Sequence, residues 1–105
     1  MSRPAPLDDA TIAEWLEGHP AWLADAGHLV RALRTRDYPS SIAILEAQVT
    51  LAEGLDHHPM VTVGYRELRF EIWTHDRGAL TELDLAYASG LDELLTTKFA
   101  EDLMN

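Results

Sequence analysis

The 105-residue sequence contains no cysteine. This absence excludes disulfide bridges, a thiol nucleophile and thiolate ligands for a metal. No apolar run approaches the roughly 18 residues of a membrane-spanning helix. Residues 1–9 hold no apolar stretch of the kind that a secretory signal needs. We therefore expect a cytoplasmic protein that has no membrane partner.

Positive charge is also scarce, since 8 Lys and Arg residues stand against 18 Asp and Glu residues for a net charge of −10. Nucleic acids and anionic membranes attract clustered Lys and Arg, and here the basic residues are scattered. We expect neither kind of partner. With 47% hydrophobic residues, the chain can bury the core of one domain over residues 1–105. Residues 1–7, with two prolines, are expected to form a loose arm.

The spacing of apolar residues predicts a helix, two strands and a second helix in the first half of the chain. The first helix begins at Asp8 or Asp9 and ends at Glu17. A strand begins near Trp22, and another covers 28–35. The second helix begins after Asp37 and ends near Gly54 or Leu55, with Ile42, Leu45, Val49 and Ala52 on one face.

The second half of the chain changes to the two-residue period of strands. Apolar residues occupy odd positions over 61–65 and even positions over 68–72, so a turn near Arg66 must separate two strands. A capping box from Thr81 to Asp84 starts a helix that ends near Thr97. The order α-β-β-α-β-β-α predicts an α+β fold, in which helices cover one face of a four-stranded antiparallel sheet.

Three of the five histidines are expected to meet at one rim of this sheet. His57 and His58 precede the first strand of the hairpin, and His75 follows the second. Imidazoles have an unperturbed pKa near ~6.5, so such a cluster can donate and accept protons near neutral pH. His19 and His28 are expected to be ordinary solvated side chains.

Other interpretations of the same residues remain open. Three histidines can bind zinc, but adjacent histidines point apart and the spacing of chelating motifs is missing, which disfavours a metal. The trio could instead cap helix carbonyls or lie at the surface. Glu53, one helical turn before His57, either orients an imidazole or is solvated. Asp84 could equally serve only as the last residue of the capping box.

Aromatic residues offer a weaker signal. Trp15, Trp22 and Trp73 are expected in the core or in an interface, where tryptophan buries a large apolar area. Tyr65 and Trp73 could instead wall a planar ligand.

The segment from Ala52 to Asp84 resembles the pterin-4a-carbinolamine dehydratases, also called 4a-hydroxytetrahydrobiopterin dehydratases. The resemblance rests on Glu53-x-x-x-His57-His58-Pro59, followed at fixed distances by Tyr65, by Thr74-His75-Asp76 and by Leu80-Thr81-Glu82-x-Asp84. Pro20-Ala21-Trp22 and residues 28–38 extend it over nearly the whole chain.

The resemblance implies the fold predicted above and a dehydratase that needs no metal or cofactor. Members convert 4a-hydroxytetrahydropterin to quinonoid dihydropterin, which recycles the tetrahydrobiopterin used by aromatic amino acid hydroxylases. It implies a homodimer or a homotetramer. By position, the catalytic residues would be His57, His58 and His75, with Glu53, Asp56, Pro59, Tyr65, Thr74 and Asp84 supporting them or binding substrate.

The alternative function is a non-catalytic interaction module, because some relatives serve as dimerisation partners, transcriptional coactivators or assembly factors. Such members tend to lose the histidine trio, so its presence favours the enzyme. The sequence departs from the family pattern at two places. Residues 60–64 lack the aromatic residue and Asn of many members, and Ala79 replaces a Gly, which would strain the chain if that position needs a positive φ.

Overall fold

A computed structural model describes residues 4–104, which form three helices and five strands. In chain order they are α1 (Asp9–Glu17), β1 (Leu23–Asp25), β2 (His28–Thr35), α2 (Tyr38–Leu55), β3 (Met60–Val63), β4 (Glu67–Ile72), α3 (Glu82–Lys98) and β5 (Leu103–Met104). Short 3-10 turns cover His75–Arg77 and Ala100–Asp102. The predicted order of elements is confirmed as far as α3.

The strands form one antiparallel sheet in the order β1-β2-β4-β3. The number of strands differs from the expected four, because β5 pairs with the end of β2 through Arg34↔Met104 and Thr35↔Leu103. Since β4 occupies the other edge of β2 over the same residues, β5 extends the edge that β1 begins. Two residues after a 3-10 turn are too few for an apolar period, so the sequence carries no signal for this strand.

Strand alternation sends every second side chain of β2 and β4 toward the helices. Leu33, Leu68, Phe70 and Ile72 are buried there, against residues of α2 and α3 such as Leu91. Full burial of each such side chain stabilises the fold by about 1.5–3 kcal/mol. The opposite face of the sheet carries the polar side chains of His28, Arg69 and Glu71.

The helix α2 buries a face that the sequence did not predict. Its buried residues are Ser40, Ser41, Ile44, Gln48 and Ala52, so Ala52 alone of the predicted apolar face is fully buried. Hydrogen bonds make the polar residues tolerable there, since Tyr87 Oη donates to Gln48 Oε1 at 2.7 Å. Three apolar residues of the helix form an exposed stripe, the α2 stripe, consisting of Tyr38, Ile42 and Val49, which are 48%, 38% and 49% exposed.

The helix starts follow their predicted caps. Asp8 accepts from the backbone N–H of Thr11, Asp37 accepts from that of Ser40, and these hydrogen bonds lower the pKa of both carboxyls.

Residues 4–7 lie along the loop at 77–80. Leu7 N–H donates to Leu80 O, and Arg77 Nε donates to Pro4 O. The first three residues of the expected arm lie outside the described residues. No helix in 4–104 combines the length and apolar composition needed to cross a bilayer.

The buried hydrogen bond between α3 and α2 gives a stability prediction. Burial raises the pKa of Tyr87, so its hydroxyl remains a donor. Tyr87→Phe leaves Gln48 Oε1 without that donor in the core and is expected to cost about 1–3 kcal/mol of unfolding free energy. Tyr65→Phe removes the same atom from a 76% exposed side chain and should change stability by less than ~0.5 kcal/mol. Urea denaturation measures the unfolding free energy of both variants. Equal losses in the two would contradict a stabilising role for the hydrogen bond between Tyr87 and Gln48.

Candidate active site

A pocket of about 250 Å³ lies where the end of α2 meets the end of β4. Its walls are Asp56, His57, His58, Thr74, His75 and Asp76. The hairpin formed by β3 and β4 brings the two ends together, since Met60 pairs with Glu71. The three histidines that the sequence placed on one rim therefore share one cavity.

A left-handed turn at the end of α2 aims the adjacent histidines in different directions. Asp56 has φ 48° and ends the helix, while His57 N–H donates to Ala52 O and Asp56 N–H to Glu53 O. This pair of hydrogen bonds is the Schellman motif. As a result, His57 is 5% exposed, whereas the His58 side chain is 54% exposed.

Asp84 is a fully buried carboxylate that binds His57. Its Oδ1 lies 2.6 Å from His57 Nε2, and its Oδ2 accepts from Thr81 N–H at 2.8 Å and from Thr74 Oγ1 at 2.9 Å. The bond from Thr81 completes the predicted capping box. Asp84 therefore caps α3 and also contacts the His57 imidazole.

The surrounding hydrogen bonds determine which atom of each pair is the donor. Because Thr74 donates its one hydroxyl hydrogen to Asp84, the Thr81 hydroxyl must donate to Thr74 Oγ1, at 2.7 Å, and it accepts from Leu83 N–H. An ionised Asp84 can only accept, so His57 Nε2 carries a proton. In the neutral imidazole, Nδ1 is then the atom that can take up another proton.

A second carboxylate binds His58 in the same way but at the surface. Glu53 Oε2 lies 2.5 Å from His58 Nε2, and the Glu53 side chain is 68% exposed. The sequence had suggested Glu53 as a partner for His57. The helix instead ends before His57, so the turn at Asp56 gives His57 to Asp84 and leaves Glu53 for His58.

His75 belongs to a stack of three nearly parallel rings. The indole of Trp73 lies between the His28 imidazole, at 3.8 Å and 9°, and the His75 imidazole, at 4.3 Å and 10°. His28 Nδ1 also lies 2.6 Å from Glu71 Oε2. The expectation that His28 is merely solvated is therefore wrong. It is wrong for His19 as well, which stacks on Trp15 at 3.9 Å.

The other predicted site residues divide into those near the pocket and one that is distant. Asp56 and Thr74 line it, and Pro59 follows His58 directly. Tyr65 lies in the turn between β3 and β4, at the opposite end of the hairpin, and is 76% exposed. It does not line this pocket. Asp76 lines the pocket but was not predicted as a site residue. Its position next to His75 in the sequence could have indicated this.

The two departures from the family pattern have simple structural outcomes. Gly78 adopts the left-handed conformation, with φ 58°, and Ala79 does not have a positive φ, so Ala79 is unstrained. Met60 and Thr62 of β3 alternate with Val61 and are exposed.

The tryptophans lie in or against the core, as the sequence predicted. Trp22 is buried, and Trp15 and Trp73 pack partly against the core.

Metal ligands do not converge at the pocket. Within residues 4–104, no group of three His, Asp, Glu or Cys side chains is arranged to hold a metal ion. Carboxylates occupy the Nε2 atoms of both His57 and His58. The arrangement instead offers two carboxylate–imidazole pairs and one stacked imidazole around a cavity, which is chemistry suited to proton transfer.

Comparison with known proteins gives a consistent result over most of the chain. The family model for pterin 4 alpha carbinolamine dehydratase matches residues 5–94. The chain belongs to this family. Its relatives include candidate pterin-4-alpha-carbinolamine dehydratases from Chloroflexus aurantiacus, 38% identical over 85% of this chain and 96% of the relative, and from Chloroflexus aggregans, 39% identical over 87% and 98%. Another, from Metallosphaera sedula, is 40% identical over 79% and 86%.

Solved structures with the same fold confirm the architecture of this family member. A transcriptional coactivator/pterin dehydratase from Brucella melitensis superposes with a TM-score of 0.80, covering 86% of this chain and 98% of that one at 23% identity. A pterin dehydratase-like protein described as a RuBisCO assembly factor of the alpha-carboxysome gives 0.58, covering 70% and 84% at 22% identity. At these identities the likeness concerns the fold alone.

The pair of His28 and Glu71 beside the pocket gives a pH prediction. The hydrogen bond from His28 is the main cause that lowers the pKa of Glu71, with Arg69 adding to it. A carboxyl whose pKa is lower in the folded state stabilises the fold above its unfolded pKa of ~4.3, and the contribution is lost as the pH falls through the folded value. Glu71→Gln should therefore reduce stability near neutral pH and have little effect at about pH 3.

Denaturation midpoints of the Glu71→Gln protein and the unsubstituted protein across this range measure the effect. Glu67→Gln, at an exposed position on the same strand, is the control. A stability difference that stays constant with pH would contradict the prediction.

Proposed function

We propose that this protein dehydrates 4a-hydroxytetrahydropterin to quinonoid dihydropterin by histidine acid–base catalysis. The observation that carries the proposal is the buried Asp84–His57 pair, which opens into the pocket shared with His58 and His75. Membership of the family supports the substrate class. No cofactor is needed for this reaction.

The reaction requires two proton transfers. The substrate carries a hydroxyl and a ring N–H on adjacent atoms. The nitrogen lone pair forms a C=N bond as the C–O bond breaks, the departing hydroxyl takes a proton from an acid, and a base removes the N–H proton. The products are water and quinonoid dihydropterin, so atoms and charge balance. Positioned acids and bases each contribute roughly 10²–10⁴-fold to such steps.

The environment of each histidine suggests its role. His57 is the base, because Asp84 fixes the tautomer with Nδ1 free and stabilises the imidazolium that forms. His75, exposed at the pocket and bound to no carboxylate among the described residues, is the acid. His58, held by Glu53, hydrogen-bonds the pterin, with Asp56, Pro59 and Thr74 shaping the site.

The physiological setting follows from the same proposal. The substrate is the product of a pterin-dependent hydroxylation, so an aromatic amino acid hydroxylase is the class of enzyme that would supply it. The reaction would take place in the cytoplasm and return the pterin to its reduced form for reuse.

Substitution of the histidines tests the catalytic proposal. His57→Ala and His75→Ala are each expected to lower turnover by roughly 10²–10⁴-fold while the protein stays folded. The assay follows the decay of 4a-hydroxytetrahydropterin by absorbance. His19→Ala, which is outside the pocket, should retain activity. Near-full activity in both pocket variants would contradict the assigned roles.

A second candidate function is a non-catalytic interaction module, for which the α2 stripe would supply a contact surface. Three apolar side chains are exposed along one line of α2, which is typical of a surface that another chain covers. Similar folds are named for coactivator and assembly roles. A folded protein that does not accelerate the dehydration would favour this function over the enzyme.

We propose that the partner at the α2 stripe is a second copy of this chain, in a homodimer or a homotetramer. Val49→Arg places a charge in the stripe and is expected to shift the protein to monomers in light scattering. Thr50→Arg adds the same charge at an exposed position outside the stripe and should leave the assembly intact. A monomeric unsubstituted protein, or an assembly unaffected by Val49→Arg, would contradict this prediction.

A further inference from the structure

We propose that Trp73 is a positioning residue that holds the His75 imidazole in the orientation needed for proton transfer. This inference rests on the proposed function and assigns a role to a residue that the catalytic scheme does not use. Trp73 lies directly between His28 and His75 in the three-ring stack, with centroid distances of 3.8 and 4.3 Å.

The backbone next to His75 is firmly held. Thr74 N–H donates to Ala79 O at 3.0 Å, and Gly78 N–H donates to His75 O at 3.1 Å. The Thr74 hydroxyl is also fixed by Asp84 and Thr81. The Cα of His75 therefore has a defined position, and rotation of its side chain is the freedom that remains.

The imidazole itself has few restraints. His75 is exposed, and no side-chain hydrogen bond to its ring nitrogens is present in residues 4–104. This contrasts with His57 and His58, which carboxylates orient. Contact with the indole, at an interplanar angle of 10°, is thus the interaction that sets the plane of the His75 ring. Stacking on a ring face leaves both nitrogens at the edge free for a substrate.

His28 and Glu71 keep the indole in place from the other side. The His28 ring lies on the opposite face of Trp73, and its Nδ1 is bound to Glu71 at 2.6 Å. Arg69 Nη1 donates to the second oxygen of Glu71, also at 2.6 Å. Rotation of the indole would have to displace either the His28 ring or the His75 ring. Contacts that begin at Glu71 on β4 and pass through His28 on β2 and Trp73 therefore extend to His75 in the pocket.

The consequence for catalysis concerns turnover more than binding. A misaligned acid still leaves the contacts of His57 and His58 with the pterin, but it lowers the rate of proton transfer, and small misplacements can cost up to about 10²-fold. Leucine at position 73 fills much of the volume without a flat face. Phenylalanine keeps a flat aromatic face on which His75 can stack.

The test compares Trp73→Leu and Trp73→Phe with the unsubstituted protein in the dehydration assay. Trp73→Leu is expected to lower kcat by about 10- to 100-fold with KM changed less than about twofold, and Trp73→Phe to restore kcat to within about threefold. The upfield ring-current shift of the His75 ring protons in NMR spectra should be lost in Trp73→Leu and largely kept in Trp73→Phe.

A matched control is available in α1. Trp15 stacks on His19 at 3.9 Å and packs partly against the core, and neither residue lines the pocket. Trp15→Leu therefore removes a similar stack and should keep kcat unchanged. If Trp73→Leu does not fold, His28→Ala removes one side of the stack from the sheet surface and should lower kcat by a few fold while reducing the His75 ring-current shift.

Several outcomes would overturn the inference. Unchanged kcat in Trp73→Leu would do so, as would a raised KM with normal kcat, which would make Trp73 a binding residue. Failure of Trp73→Phe to restore turnover would also contradict it. A lack of dehydratase activity in the unsubstituted protein would overturn the proposed function itself, a separate result that is seen before any substitution is made.

Discussion

The buried carboxylate of Asp84 is the constraint on which both the fold and the site depend. An ionised carboxylate without partners is very costly to bury, so it requires donors on every side. Thr81 supplies a backbone N–H, Thr74 a hydroxyl and His57 an imidazole N–H. These donors come from the start of α3, the end of β4 and the end of α2. One charge thus joins three elements at the place where the pocket opens.

Two kinds of restraint produce a rigid arrangement of imidazoles. The left-handed turn at Asp56 separates His57 from His58 and delivers each to a different carboxylate. His75 has no such partner in the described residues and depends on a ring stack instead. In the proposed reaction, groups that are held in place before the substrate arrives leave little reorganisation for the proton transfers themselves.

Much of this was predictable from local patterns, and the rest was not. The apolar residues change from odd to even positions before Leu68, which indicated the hairpin. The hairpin in turn placed His75 beside His57 and His58. The capping box marked Asp84 but could not indicate its contact with His57, because that contact depends on tertiary packing. The buried face of α2 was mispredicted because Gln48 is satisfied by a distant tyrosine. The stack of His28, Trp73 and His75 could not be predicted from the spacing of residues, because the rings come from different parts of the fold.

The most direct test of this account is the protonation of His57, read from the nitrogen chemical shifts of its imidazole in NMR spectra. An Asp84 carboxylate that binds Nε2 predicts that the neutral imidazole carries its proton on Nε2 and has a bare Nδ1. It also predicts that Asp84→Asn removes this preference while His58 is unaffected. A neutral His57 with its proton on Nδ1, or one insensitive to Asp84→Asn, would contradict the central role of the pair.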